Sequence, residues 1–172
     1  MQSFTTDRLT LRDWSPVIAD PQQRRALEAT LSDILTPDVL APLPEPLQLS
    51  GKATRIADWM SARAAECTVF TIAETGSGAI VGLLLLAEDG AGTPAPICHV
   101  GYLLGPTAWG KGYATEVVAG LVATLRGAGP RTLRAGVGKG NAASARVLEK
   151  AGFHRHPGLS DPETDMFERR IA

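Results

Sequence analysis

One segment limits what this chain can fold into more than any other. Ile97 to Leu104 (ICHVGYLL) reads as a strand, Gly105 to Ala108 lead out of it, and Trp109-Gly110-Lys111-Gly112-Tyr113-Ala114 pass directly into a helix. The helix is legible from its apolar spacing: Ala114, Val117, Val118, Leu121, Val122 and Leu125 fall on one face. Gly127 and Gly129-Pro130 end it. The first backbone N–H groups of a helix have no partner inside it, and the helix dipole makes that end partly positive. Glycines at 110 and 112 remove the Cβ atoms that would keep a ligand away, and Lys111 adds a cation. Such a turn suits a pyrophosphate. It is not a P-loop, because Lys111 is followed by glycine rather than Ser or Thr. Nor is it a Rossmann turn, since the third glycine of that fingerprint is replaced by Thr115 and several strands precede it. A tight strand–helix turn without a ligand is the plain alternative.

The other elements set this turn in a mixed sheet. Phe4 to Trp14 reads as a first strand, with Leu9 and Leu11 alternating with polar neighbours. Asp20-Pro21 looks like a cap and first-turn proline, followed by Leu27, Leu31 and Ile34 at helical spacing. Four prolines between Thr36 and Leu49 (Pro37, Pro42, Pro44, Pro46) forbid a regular helix there. Ser50 is a candidate cap for a second helix with Ile56, Trp59 and Met60 on its apolar face. Strands are expected at Thr68–Ala73, Ile80–Ala87, Leu133–Val137, Phe153–His156 and Asp165–Ile171, and a short helix between Asn141 and Ala151. A helix joining two strands lets them run parallel, whereas the rest favours antiparallel meanders. The expectation is one α/β domain, 1–172, with helices on both faces of the sheet.

Composition narrows the function classes. The net charge is −1 and the pI about 6.3, which argues against a nucleic-acid binder. No apolar run approaches the ~18 residues needed to cross a membrane, and no secretory leader opens the chain, so a cytoplasmic location is expected. Cys67 and Cys98 read as free thiols. No set of side chains has metal-ligand spacing.

Three stretches, taken together, resemble the GNAT superfamily of N-acetyltransferases and look most like its RimJ/RimL branch. T-D-R-L-T-L-R (Thr6 to Arg12) resembles the opening strand, V-G-Y-L-L-G-P-T-A-W-G-K-G-Y-A-T-E (Val100 to Glu116) the acetyl-CoA motif, and N-A-A-S-A-R-V-L-E-K-A-G-F (Asn141 to Phe153) the last helix. The resemblance implies a mostly antiparallel sheet of about seven strands flanked by about four helices, splayed between the fourth and fifth strands. It implies acetyl-CoA as co-substrate, with its pyrophosphate on the amides of Gly110, Lys111, Gly112, Tyr113, Ala114 and Thr115. Pantetheine would lie along Tyr102, Leu103 and Leu104, and Asn141 would bond to it. The Leu104 amide would face the thioester carbonyl. Many relatives carry Gln or Arg in place of Trp109, a position that works through its backbone.

The acceptor implied is a primary amine, either a protein N-terminus or a small molecule. Relatives often place a tyrosine seven residues after the asparagine to protonate the departing thiolate. Leu148 stands there, and Ser144 is the candidate donor instead. Where relatives have a strand glutamate as base, this chain has His99, a residue that titrates near neutrality. Glu116 reads as a structural or solvent residue. A homodimer is compatible with the family. Two other readings use the same features: an acyl-CoA-binding module with little catalysis, and an aminoglycoside- or polyamine-type acetyltransferase.

Overall fold

The computed structural model of the chain describes residues 3–44, 47–49 and 55–172. The opening segment is a hairpin rather than the single strand expected. Phe4–Thr5 (β1) folds back antiparallel on Leu9–Asp13 (β2), with Phe4 opposite Leu11. Thr6 makes the turn: its N–H donates to the Leu9 carbonyl at 2.8 Å, and its Oγ1 accepts from the Leu9 N–H at 3.2 Å. A side chain that satisfies nearby main chain in this way competes with extended structure. Leu9 and Leu11 are fully buried, as their alternation requires.

Helices then cover one face of the sheet. Ser15–Ala19 (α1) is a single short element, and Pro21–Ile34 (α2) begins as its sequence indicates: Asp20 Oδ1 accepts from the Gln22 and Gln23 N–H groups. The proline-rich stretch contains one helical turn, Pro37–Leu40 (α3), which Pro37 can start because a first-turn residue needs no N–H partner. Pro46 and the candidate cap Ser50 lie outside the described residues. Ile56–Glu66 (α4) follows, with Trp59, Met60 and Arg63 turned to the interior.

Thr68–Glu74 (β3), Ile80–Asp89 (β4) and Ile97–Leu104 (β5) form an antiparallel meander. Tyr113–Leu125 (α5) crosses over to Arg131–Gly138 (β6), and Ala142–Lys150 (α6), His154–Arg155 (β7) and Thr164–Ile171 (β8) complete the domain. The strand order is β1-β2-β3-β4-β5-β6-β8-β7, antiparallel except for β5 beside β6. This is a mixed α/β architecture with helices on both faces of the sheet. The described residues form eight strands and six helices where about seven and four were expected, because the opening segment is a hairpin and the first half carries two short extra helices.

Two apolar cores sandwich the sheet. Val117, Val118, Leu121 and Val122 of α5 pack on Phe70, Ile72, Leu84 and Leu133. Trp14, Leu31, Trp59 and Met60 pack on Val69, Leu83, Leu85 and Leu103 across the other face. Leu83 to Leu86 supply both cores, since successive strand residues point to opposite faces. The parallel pair β5–β6 is joined only at Ile97–Thr132, Cys98–Leu133 and His99–Arg134. Beyond His99 the two strands part, and the sheet opens into a gap.

Candidate active site

The turn entering α5 has the backbone its glycines foretell. Gly110 and Gly112 have φ of 73° and 78°, the left-handed region that other residues enter at a cost. Gly112 is the N-cap, and no side chain caps the helix. The first intrahelical donor is the Glu116 N–H, 3.1 Å from the Gly112 carbonyl. Among the described residues, no main-chain acceptor takes the N–H groups from Gly110 to Thr115. The result is a row of donors at the positive end of a helix dipole.

Charged residues brace the turn. Glu116 accepts from Thr6 Oγ1 at 2.6 Å, from the Arg8 N–H at 2.8 Å and from Arg8 Nε at 2.7 Å. Arg8 Nη1 also donates to the Lys111 carbonyl at 3.0 Å, and the Arg8 guanidinium lies 4.7 Å from the Tyr113 ring centroid. Burial pushes the Glu116 carboxyl up, but the bonds from Thr6 and Arg8 together outweigh it and hold the carboxyl below the usual range. Glu116 is therefore structural: it pins the β1–β2 turn to the first turn of α5. The sequence reading missed Arg8, whose partner is 108 positions away. Lys111 leans toward Glu74, with Nζ 3.7 Å from its Oε1, and Tyr113 donates its hydroxyl to the same oxygen at 2.9 Å.

The open end of the sheet is a cavity of about 760 Å³ that runs from this turn through the gap between β5 and β6. Every residue singled out from the sequence borders it except Lys111: Tyr102, Leu103, Leu104, Trp109, the turn, Asn141, Ser144 and His99. Hydrogen bonding along β5 shows which groups face the gap. The Gly105 N–H bonds to the Val81 carbonyl at 2.8 Å, so residues 105, 103, 101 and 99 alternate as partners of β4. The main-chain N–H and C=O groups of Val100, Tyr102 and Leu104 consequently point the other way, where β6 has already diverged. Trp109 does more than its backbone: its Nε1–H donates to the Leu104 carbonyl at 2.8 Å, while the half-exposed ring stands at the mouth.

Two hydroxyls meet on the α5–α6 side. Asn141 caps α6, its Oδ1 accepting from the Ser144 N–H at 3.1 Å, which leaves the amide nitrogen as a donor. Ser144 Oγ lies 2.7 Å from the Tyr102 hydroxyl. Burial pushes that phenol up to about 12, so it is protonated at neutral pH. Leu148, where relatives have tyrosine, is fully buried. Tyr102 was singled out for its backbone alone, and strand parity was the signal that its side chain faces α6.

His99 stands on the opposite face of β5. Its Nε2 is 2.9 Å from Asp89 Oδ2, and both side chains reach solvent. Cys98 beside it is buried in the other core, its thiol pushed up to about 11 by that burial, so the two form no nucleophile–base pair. Among the described residues, no group of three or more His, Cys, Asp or Glu side chains is placed to hold a metal ion, and no helix is long and apolar enough to cross a membrane.

Comparison with known proteins identifies the family and the fold. Residues 8–154 match the family model described as Acetyltransferase (GNAT) domain. A GNAT-family acetyltransferase from Bacillus anthracis is 19% identical with a TM-score of 0.68, covering 98% of this chain and 97% of that one. An acetyltransferase from Agrobacterium tumefaciens is 23% identical with a TM-score of 0.68, over 98% and 94% of the two chains. RimL, a ribosomal alpha-N-protein acetyltransferase seen in complex with coenzyme A, is 16% identical with a TM-score of 0.70, over 96% of each chain. At these identities the solved structures speak for the fold alone. Among curated protein sequences, none gives a significant match.

Proposed function

This chain belongs to the GNAT acetyltransferase family and is thus an acyltransferase that uses acetyl-CoA; on that premise we propose that it acetylates a primary amine by direct attack in a ternary complex. One observation carries the reading: a single cavity joins the free amides of the α5 N-terminus to the unpaired edge of β5. The amides from Gly110 to Thr115 take the coenzyme's diphosphate. The edge groups of Val100 and Tyr102 and the Asn141 amide nitrogen hold the pantetheine arm as an added strand.

The Leu104 N–H faces the thioester carbonyl, where negative charge grows during attack. The neutral amine nitrogen bonds to the carbonyl carbon and the C–S bond breaks. One proton leaves the nitrogen and one reaches the sulfur, giving the acetamide and free coenzyme A. His99, oriented by Asp89, takes the first proton directly or through water. Ser144 donates a hydrogen bond to the departing sulfur, and the second proton reaches the thiolate from solvent as the coenzyme leaves. Either hydroxyl can donate across the 2.7 Å contact between Ser144 and Tyr102, and when the Tyr102 phenol donates, the Ser144 proton is free to point at the sulfur. A thiol of pKa about 8.5 leaves with modest help, so positioning supplies much of the rate.

The sequence stretches around Thr6, Val100 and Asn141 support a place in the RimJ/RimL branch, where a protein N-terminus would be the acceptor. The test is release of free thiol from acetyl-CoA with a panel of peptides, amino acids, polyamines and aminoglycosides. Coenzyme binding without thiol release from any of them would replace this reading with that of an acyl-CoA-binding module. Preference for aminoglycosides or polyamines would move the acceptor class.

A further inference from the structure

Arg63 is the one charged side chain that is buried among the described residues, 7% exposed. It lies on the core side of α4 beside Trp59 and Met60. It lines the cavity on the face where His99 stands, with Val39, Leu43, Leu47 and Leu85 as apolar neighbours. A buried cation is costly unless its donors are met, and an apolar residue of similar volume serves a core as well or better. The guanidinium has five donors. Its Nη2 reaches Glu66 Oε2 at 2.8 Å, but that glutamate side chain is 59% exposed, and it lines the same cavity, as does Asp38. Nε is closed off from solvent with no acceptor, so an entering anion meets the Nη end of the fork, where Glu66 is the only partner among the described residues. The guanidinium carbon is 6.0 Å from the Trp59 ring centroid, so the indole helps hold its orientation. A fixed, half-satisfied fork in the wall of a cavity is built to receive an anion from within it.

We propose that Arg63 binds a carboxylate on the acceptor, so that the amine acetylated here belongs to an amino acid or a close analogue with an apolar body. The proposal rests on the acetyltransferase reading of the same cavity and puts a free amino acid in place of the protein N-terminus that the branch resemblance favours. Carboxylate and amine lie at opposite ends of the acceptor: the apolar wall takes the carbon chain between them, and the amine reaches the thioester near His99.

The test pairs α-, β-, γ-, δ- and ε-amino acids with their own carboxamides in a thiol-release assay, using wild type, Arg63→Gln and Arg63→Lys. Melting temperature and coenzyme A binding report whether each variant is folded. The expected result is one spacing at which wild type prefers the acid over the amide at least tenfold in kcat/KM, mostly through KM. In Arg63→Gln that ratio falls toward one, and Arg63→Lys recovers part of it. The difference in amine basicity between acid and amide enters every variant's ratio equally, so it cancels when the wild-type ratio is compared with that of Arg63→Gln, and for wild type alone the ratio is taken per neutral amine. Equal or better use of amides and polyamines by wild type, or a preference that persists in Arg63→Gln, overturns the proposal. If Arg63→Gln does not fold, the wild-type ratios decide. If no amine is acetylated, the acetyltransferase reading fails by itself. The anion site is then judged by calorimetry of the same acids and amides against the coenzyme-loaded protein. Acid-selective heat supports it, and equal or absent heat overturns it.

Discussion

The Tyr102 hydroxyl lies 2.7 Å from the Ser144 Oγ, and 3.3 Å from the Ser144 carbonyl. Two residues 42 positions apart thus place adjacent hydroxyls beside the gap in which the thioester is proposed to sit. The phenol keeps its proton well above neutral pH, so it is able to donate to the serine oxygen and leave the serine proton for the leaving group.

Ser144→Ala is expected to lower kcat about tenfold, or ~1.4 kcal/mol on the barrier, with less change in the KM for acetyl-CoA. Tyr102→Phe should cost less, and the double variant should be no worse than Ser144→Ala, because the phenol acts through the serine. Steady-state thiol release measures all three. Fully additive losses would mean that the hydroxyls do not work as a chain.

His99→Ala is expected to reduce kcat/KM about a hundredfold near neutral pH, and Asp89→Asn to reduce it less, since Asp89 only orients the ring. The deficit should shrink as the pH rises and more of the amine is neutral without help. Parallel pH–rate profiles for wild type and His99→Ala would remove His99 from proton transfer.

Gly112→Ala forces a side chain into left-handed backbone, at about 1–2 kcal/mol, and sets a methyl group 3.6 Å from Arg8 Nη2 at the entry to α5. The dissociation constant for coenzyme A should rise about tenfold or more, the equivalent of ~1.4 kcal/mol. Lys111→Ala should matter less, because its ammonium is drawn toward Glu74. Calorimetry with coenzyme A distinguishes the two, and a larger loss for Lys111→Ala would reverse the assignment.

Glu116→Gln tests the brace. The folded carboxyl is held below its unfolded range, so its contribution is present above the unfolded pKa and is lost as pH falls through the folded one. Removing the charge should cost about 1–2 kcal/mol at pH 7, at the low end because the Arg8 side chain is half exposed and screened. The difference from wild type should fade below about pH 4. Urea midpoints at several pH values give the curve, and a constant difference across them would rule out the ion pair as its source.

Local pattern made the turn at Gly110–Gly112, the apolar face of α5, the Asp20 cap and the Asn141 helix start legible, because each depends on residues within a few positions. The opening hairpin was hidden because Thr6 makes its turn with side-chain and main-chain bonds and no glycine is present to mark it. Glu116 with Arg8, and Tyr102 with Ser144, join distant segments, and no spacing rule reports such contacts. Arg63 did leave a signal: it follows Ile56, Trp59 and Met60 at helical spacing, a charge on an otherwise apolar stripe. Parity along β5 likewise separates His99 from Tyr102, once residue 97 is taken as the start of a strand.

The three residue pairs joining β5 to β6 make the domain two half-sheets hinged at one end. A molecule seated at the open end acts as a cross-member between them. Its arrival should stiffen both edges together, slowing amide exchange at Val100, Tyr102 and Leu104 in step with that on β6. Release of the spent coenzyme would then require the halves to loosen, which ties the turnover rate to the mechanics of the hinge as well as to the chemistry beside it.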